Sequence, residues 1–127
     1  MENSKLIELA TKAMQNSYSP YSNFKVGACL VCEDGSIYQG CNIENVAYSP
    51  SCCAERVAVF KAVSDGKTKF SKIAIVTNAV LPSAPCGVCR QVLNEFSPNM
   101  QVVMANTNGK IIEKNLQELL PLAFNEF

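Results

Sequence analysis

Pro50-Ser51-Cys52-Cys53-Ala54-Glu55-Arg56 and Ala84-Pro85-Cys86-Gly87-Val88-Cys89-Arg90-Gln91 are the two stretches around which the chain is organised. Cys86 and Cys89 form a CxxC pair, and Cys53 supplies a third thiolate with a carboxylate, Glu55, two positions on. Three soft ligands leave the fourth tetrahedral position of a zinc ion open, whereas a structural site is closed by a fourth Cys or His. The chain has no histidine, so a metal must be held by sulfur with or without carboxylate, and Ser-His or Cys-His nucleophilic catalysis is excluded. Glu55 is the natural general base. A centre with three thiolates carries little positive charge to acidify water. Arg56 and two helix N-termini, each worth roughly half a positive charge, are the available compensation.

Working outward, Cys53 to Ser64 reads as a helix, with Val57, Ala58, Phe60 and Lys61 as its stripe and Asp65-Gly66 as its stop. Cys53 is expected in the first turn. Lys72 to Thr77 is a continuous apolar run suited to a strand buried on both faces, and Leu81-Pro82-Ser83-Ala84-Pro85 is a rigid loop. Cys86 to Phe96 is a second helix, where residues three apart face the same way. The spacing therefore predicts two strand-to-helix units that present thiolates at helix N-termini, where the dipole lowers thiol pKa.

Before this core, Leu6, Leu9, Ala10, Ala13 and Met14 mark an amphipathic helix ended by Tyr18-Ser19-Pro20. Phe24 to Cys32 and Ser36 to Asn42 form a hairpin about Glu33-Asp34-Gly35. After it, Gln101 to Ala105 and Lys110 to Glu113 pair around Asn108-Gly109, and Leu116 to Leu120 is a short helix before Pro121. A mixed sheet with helices on both faces follows, with the site at strand C-termini.

Four of the seven cysteines lie outside this ligand set. Cys29 and Cys32 also spell CxxC, but in a strand they point to opposite faces and do not share a metal. Cys41 reads as a small buried hydrophobe. Cys52 is a helix-entry residue or, alternatively, the sulfur that touches the metal in place of Cys53; the CxE spacing favours Cys53.

The 127 residues, 48% hydrophobic, suffice for one domain over residues 1–127 with a real core. Eleven basic and eleven acidic residues cancel, which gives nucleic acid no electrostatic footprint. The N-terminus, Met1-Glu2-Asn3-Ser4-Lys5, leads into no apolar signal region, and no stretch approaches the ~20 apolar residues of a membrane span. The expected location is the cytoplasm, with reduced thiols.

CxE followed by PCxxC resembles the signature of the zinc-dependent nucleoside and nucleobase deaminases. More narrowly, Phe24-Lys25-Val26-Gly27-Ala28, Cys41-Asn42-Ile43-Glu44-Asn45, Cys53-Ala54-Glu55-Arg56 and Pro85-Cys86-Gly87-Val88-Cys89-Arg90-Gln91 look like the small homotetrameric cytidine deaminases, nearly end to end. The resemblance implies a three-layer α/β/α sandwich with a five-stranded mixed sheet and one Zn2+ per subunit on Cys53, Cys86 and Cys89. It implies hydrolytic deamination of cytidine and deoxycytidine to uridine and deoxyuridine with release of ammonia, as in pyrimidine salvage. In that reaction Glu55 shuttles protons and zinc-bound hydroxide attacks the amino-bearing ring carbon.

The same resemblance assigns Asn42 and Glu44 to the sugar hydroxyls, Phe24 to the pyrimidine ring and Ala54 to the substrate side. On their own, Asn42 and Glu44 would read as a turn residue with a solvated carboxylate, and Phe24 as a core aromatic. Arg56 beside the thiolates damps their charge or, alternatively, is an ordinary helix-surface arginine. By resemblance, Tyr48 reaches the ribose 5′ end from a neighbouring subunit and Phe124 closes over the base from another, with Phe127 as the alternative to Phe124. Two positions depart from the pattern: Leu122 and Val46 stand where relatives commonly have a small residue. Competing readings are deamination of a blasticidin-like cytosine nucleoside, a polynucleotide-binding editor, and a noncatalytic structural zinc module.

Overall fold

The computed structural model describes residues 1–127. Asn3–Met14 form α1, in which Leu6, Ala10 and Ala13 are buried and Leu9 and Met14 pack at the edge of the same cluster. The strands β1 (Val26–Cys32) and β2 (Ile37–Cys41) pair antiparallel, with Leu30 opposite Tyr38. Gly35 in the connecting turn has φ 89°, a conformation glycine adopts without steric cost. Next come α2 (Ala54–Ser64), β3 (Phe70–Thr77), α3 (Gly87–Phe96), β4 (Gln101–Asn106), β5 (Ile111–Asn115) and α4 (Leu116–Leu119).

The strands form one sheet in the order β2-β1-β3-β4-β5. Only β3 and β4 run parallel, and α3 is the crossover that a parallel pair requires. This is the five-stranded mixed sheet of a three-layer sandwich. Alternation along β1 sends Cys29 and Val31 to the face covered by α1. Ala28, Leu30 and Cys32 go to the opposite face with α2. Cys29 and Cys32 are thus separated by the sheet itself, as their strand spacing predicts.

The stripe of α2 differs from expectation. Ala54, Ala58, Val59 and Ala62 are buried, while Phe60 and Lys61 are exposed and Val57 is half-buried. Small side chains at every fourth position form a flat ridge that lets the helix lie close to β2, with Val59 beside it in the core and Phe60 facing outward. Cys41 is also half-buried rather than buried, and β3 begins two residues before the expected Lys72. No helix is long and apolar enough to cross a membrane.

The C-terminal segment is fixed by specific bonds. Asn115 caps α4 in a capping box with Glu118, and the chain then returns along α3. There Gln91 Nε2 donates to the Phe124 carbonyl at 2.7 Å and Asn94 Nδ2 to Asn125 Oδ1 at 2.8 Å.

Candidate active site

Two helix starts meet at one end of the sheet. Cys53 is the N-cap of α2, one position earlier than expected, and Cys86 is the N-cap of α3. Both have extended backbone, and the Cys86 sulfur accepts from the Cys89 amide at 3.4 Å. Cys89, one turn into α3, is fully buried beneath them. The three sulfurs lie within 4.8 Å of one another, and Cys53 and Cys86 are 3.7 Å apart. With zinc–sulfur bonds of about 2.3 Å, tetrahedral geometry places sulfurs about 3.8 Å apart. The cluster fits zinc. Cys52 is not part of it; its backbone instead pairs with Ile43.

Arg56 Nη2 lies 3.5 Å from Cys53 Sγ, and its Nε is buried without a hydrogen-bond partner. A half-buried guanidinium whose Nε has no oxygen partner is suited to a sulfur-rich neighbour. The neighbouring Cys89, Arg56 and Cys86 side chains hold the Cys53 thiol down, to about 5, against the opposing effect of burial. The Cys89 thiol is pushed up by the neighbouring Cys53 and by burial.

Glu55, only 4% exposed, is two residues beyond Cys53 in the first turn of α2. Burial pushes its carboxyl up to about 7, the Cys53 charge adds to the shift and Arg56 opposes it. That value suits a group that must both accept and deliver a proton near neutral pH. Glu55 lines a cavity of about 520 Å³ together with Cys53, Cys86 and Arg56.

Phe24, Asn42, Glu44 and Tyr48 line the same cavity. Asn42 Nδ2 donates to the Phe24 carbonyl at 2.7 Å, while its Oδ1 accepts from Val26 N at 3.0 Å and from Ser17 Oγ. Both lone pairs of that oxygen are in use, which leaves one N–H for another partner. Glu44 accepts from the Tyr21 and Ser22 amides at 3.0 and 3.1 Å and from Ser22 Oγ. These bonds, the Ser22 hydroxyl first, hold its carboxyl below the usual range.

Tyr48 is 73% exposed with φ 62° and packs edge-on against Tyr21. It lines the wall of this chain's own cavity. Ala54 is fully buried in the core, with its carbonyl against Gly40, and its side chain is off the cavity wall. Phe124 lies outside this chain's cavity, stacked edge-on with Phe127 at 5.7 Å. Leu122 has φ 53° and is fully exposed, a left-handed backbone that glycine would adopt at lower cost.

The sequence reading missed Ser17 and Ser22, which fix the amide of Asn42 and the carboxylate of Glu44, and Thr77, which lines the cavity floor at the end of β3. The position of Thr77 at a strand C-terminus was an available signal. Ser17 and Ser22 carry none, because their partners lie more than twenty residues away.

Residues 1–106 match the family described as cytidine and deoxycytidylate deaminase zinc-binding region. A cytidine deaminase of Sporosarcina psychrophila is 51% identical over 127 residues, spanning 99% of this chain and 93% of that one. One of Halalkalibacterium halodurans is 46% identical over 125 residues, 98% and 95% of the two chains. The crystal structure of cytidine deaminase from Burkholderia pseudomallei matches with a TM-score of 0.95 at 46% identity, covering 98% of this chain and 100% of that one. The chain belongs to this family of zinc-binding deaminases. Within it the chain stands with the cytidine deaminases and is a hydrolase, with a three-cysteine cluster fit to hold the family's metal.

Proposed function

We propose that the chain is one catalytic domain that hydrolytically deaminates cytidine and deoxycytidine, with zinc held by Cys53, Cys86 and Cys89 and protons carried by Glu55. The observation that carries this reading is a buried carboxyl, raised to about 7, on the wall of a cavity shared with two of the three clustered sulfurs. Zinc, when bound, supplies the Lewis acidity that brings water ionisation near neutral pH.

Glu55 takes a proton from the attacking water and delivers it to the ring nitrogen beside the amino-bearing carbon. The water oxygen bonds to that carbon; Glu55 then takes the remaining proton from this hydroxyl and carries it to the amino group, the C–N bond breaks and ammonia leaves. One carboxylate serves as base and then acid, which a value near neutrality permits. Arg56 keeps Cys53 charged and in place. Phe24 packs on the pyrimidine ring. The spare N–H of Asn42 and the remaining lone pair of Glu44 hold sugar hydroxyls.

Tyr48 and Phe124 complete sites across subunits of a homotetramer. The exposure of Leu122, Phe124 and Phe127 supports such an assembly. The seven free thiols suit the cytoplasm, where the enzyme would serve pyrimidine salvage. Ammonia release from cytidine, deoxycytidine and free cytosine tests the substrate class, alongside zinc content of the Cys86→Ala variant. Turnover of both nucleosides, with zinc lost in the variant, supports the reading; turnover of cytosine alone overturns the role of Asn42 and Glu44.

A further inference from the structure

Arg90 follows the last of the three metal-site cysteines directly in sequence, yet its guanidinium bonds to backbone carbonyls rather than to sulfur. Helical side chains lean toward the N-terminus, and from the second turn of α3 the Arg90 guanidinium doubles back over the first. Nε donates to the Pro85 carbonyl and Nη1 to the Leu119 carbonyl, each at 2.7 Å. Pro85 is fully buried, and its carbonyl belongs to the peptide that leads into Cys86. Leu119 ends α4, a four-residue helix whose last carbonyls have no partner further along the helix. A permanently charged, planar donor fork is suited to satisfy two carbonyls from separate segments at once.

Each contact bears on a different part of the site. Fixing the Pro85 carbonyl fixes the peptide plane before Cys86, and so the extended N-cap geometry that sets its sulfur 3.7 Å from Cys53. Fixing Leu119 sets the start of the segment that Gln91 holds at Phe124 and Asn94 holds at Asn125. Arg90, Gln91 and Asn94 lie on consecutive stretches of one helix and grip the tail at three points.

We infer that Arg90 is a positioning residue that couples the Cys86 metal loop to the C-terminal segment carrying Phe124 through a single guanidinium. The inference rests on the reading of Cys86 as a zinc ligand. Loss of the guanidinium then loosens the metal loop and the tail together, whereas loss of a tail contact that bypasses Arg90 loosens the tail alone.

The test uses zinc-loaded full-length protein. Zinc transfer to an excess of chromogenic chelator gives a release rate, and hydrogen–deuterium exchange gives the protection of residues 117–127 and of β3. Arg90→Met, which keeps the stem and removes the fork, should release zinc about 10- to 100-fold faster, the usual effect of losing a residue that supports a ligand. It should also speed exchange in the tail while β3 stays protected. Gln91→Ala should speed tail exchange and leave zinc release at the wild-type rate. Arg90→Lys, which can serve only one carbonyl at a time, should fall between and carries the same two comparisons if Arg90→Met does not fold.

Wild-type zinc release in the Arg90 variants, or faster release with the tail unchanged, would overturn the coupling. Cys86→Ala separates this from the underlying reading. If that variant retains zinc as tightly as the wild type, Cys86 is not a ligand, whatever the Arg90 variants do.

Discussion

Gly40 on β2 and Ala58 on α2 are in such close contact that a Cβ at residue 40 would sit 2.7 Å from the Ala58 amide nitrogen and 2.5 Å from the Ala54 carbonyl. The helix that carries Glu55 and starts at Cys53 is seated on this spot. Backbone, not a flexible side chain, blocks the space, so Gly40→Ala must push α2 outward. Overpacking of this kind costs about 1–3 kcal/mol. A lower urea midpoint at fixed protein concentration, with the slope unchanged, checks it. An unchanged midpoint would mean that α2 is not seated against β2 this closely.

The other end of α2 is tied to β2 by a hydrogen bond from the Tyr38 hydroxyl to Asp65. That bond first, then desolvation, pushes the Tyr38 phenol up to about 12. Because the folded value is the higher one, the bond's contribution is fully present below the unfolded value of about 10 and is lost as pH rises toward 12. Tyr38→Phe should therefore lower the denaturation midpoint at pH 8 and show a shallower fall than wild type above pH 10. Parallel pH profiles for the two proteins would remove this linkage.

Cys52 and Cys53 are adjacent, but only Cys53 belongs to the sulfur cluster. Cys52→Ala should bind one zinc per chain, and Cys53→Ala should lose it on dialysis. Metal analysis by atomic absorption checks both. Loss of zinc in the Cys52 variant alone would reverse the assignment.

Arg56→Ala leaves Cys53 without its guanidinium partner. Zinc affinity should fall by about 10- to 100-fold, measured by competition with a chelator of known affinity. Unchanged affinity and unchanged turnover would remove charge compensation as the role of Arg56.

Much of this could be read from the chain alone, and the exceptions share a physical cause. The ligand spacing, the first helix and both hairpins depend on neighbours within a few residues, and local patterns record them. The stripe of α2 does not. A reading weighted toward large apolar residues adds Val57 and Phe60 to Ala58, while the buried ridge joins Ala58 to Ala54 and Ala62, and the small size of Ala54 and Ala58 matters because Gly40 lies opposite. The hydrogen bonds on Asn42 and Glu44 come from Ser17 and Ser22 across the fold. Arg90 reads as one more residue of the CxxCRQ run until Leu119 is seen beside it.

The central claim is that Glu55 moves protons without holding the metal. Ultraviolet absorbance of cytidine, followed with zinc-replete wild-type protein and with Glu55→Gln at equal zinc content, tests it most directly. The account predicts steady loss of the cytidine signal with wild type and none with Glu55→Gln, although both carry one zinc per chain. Loss of zinc in Glu55→Gln, or turnover at the wild-type rate, would contradict it.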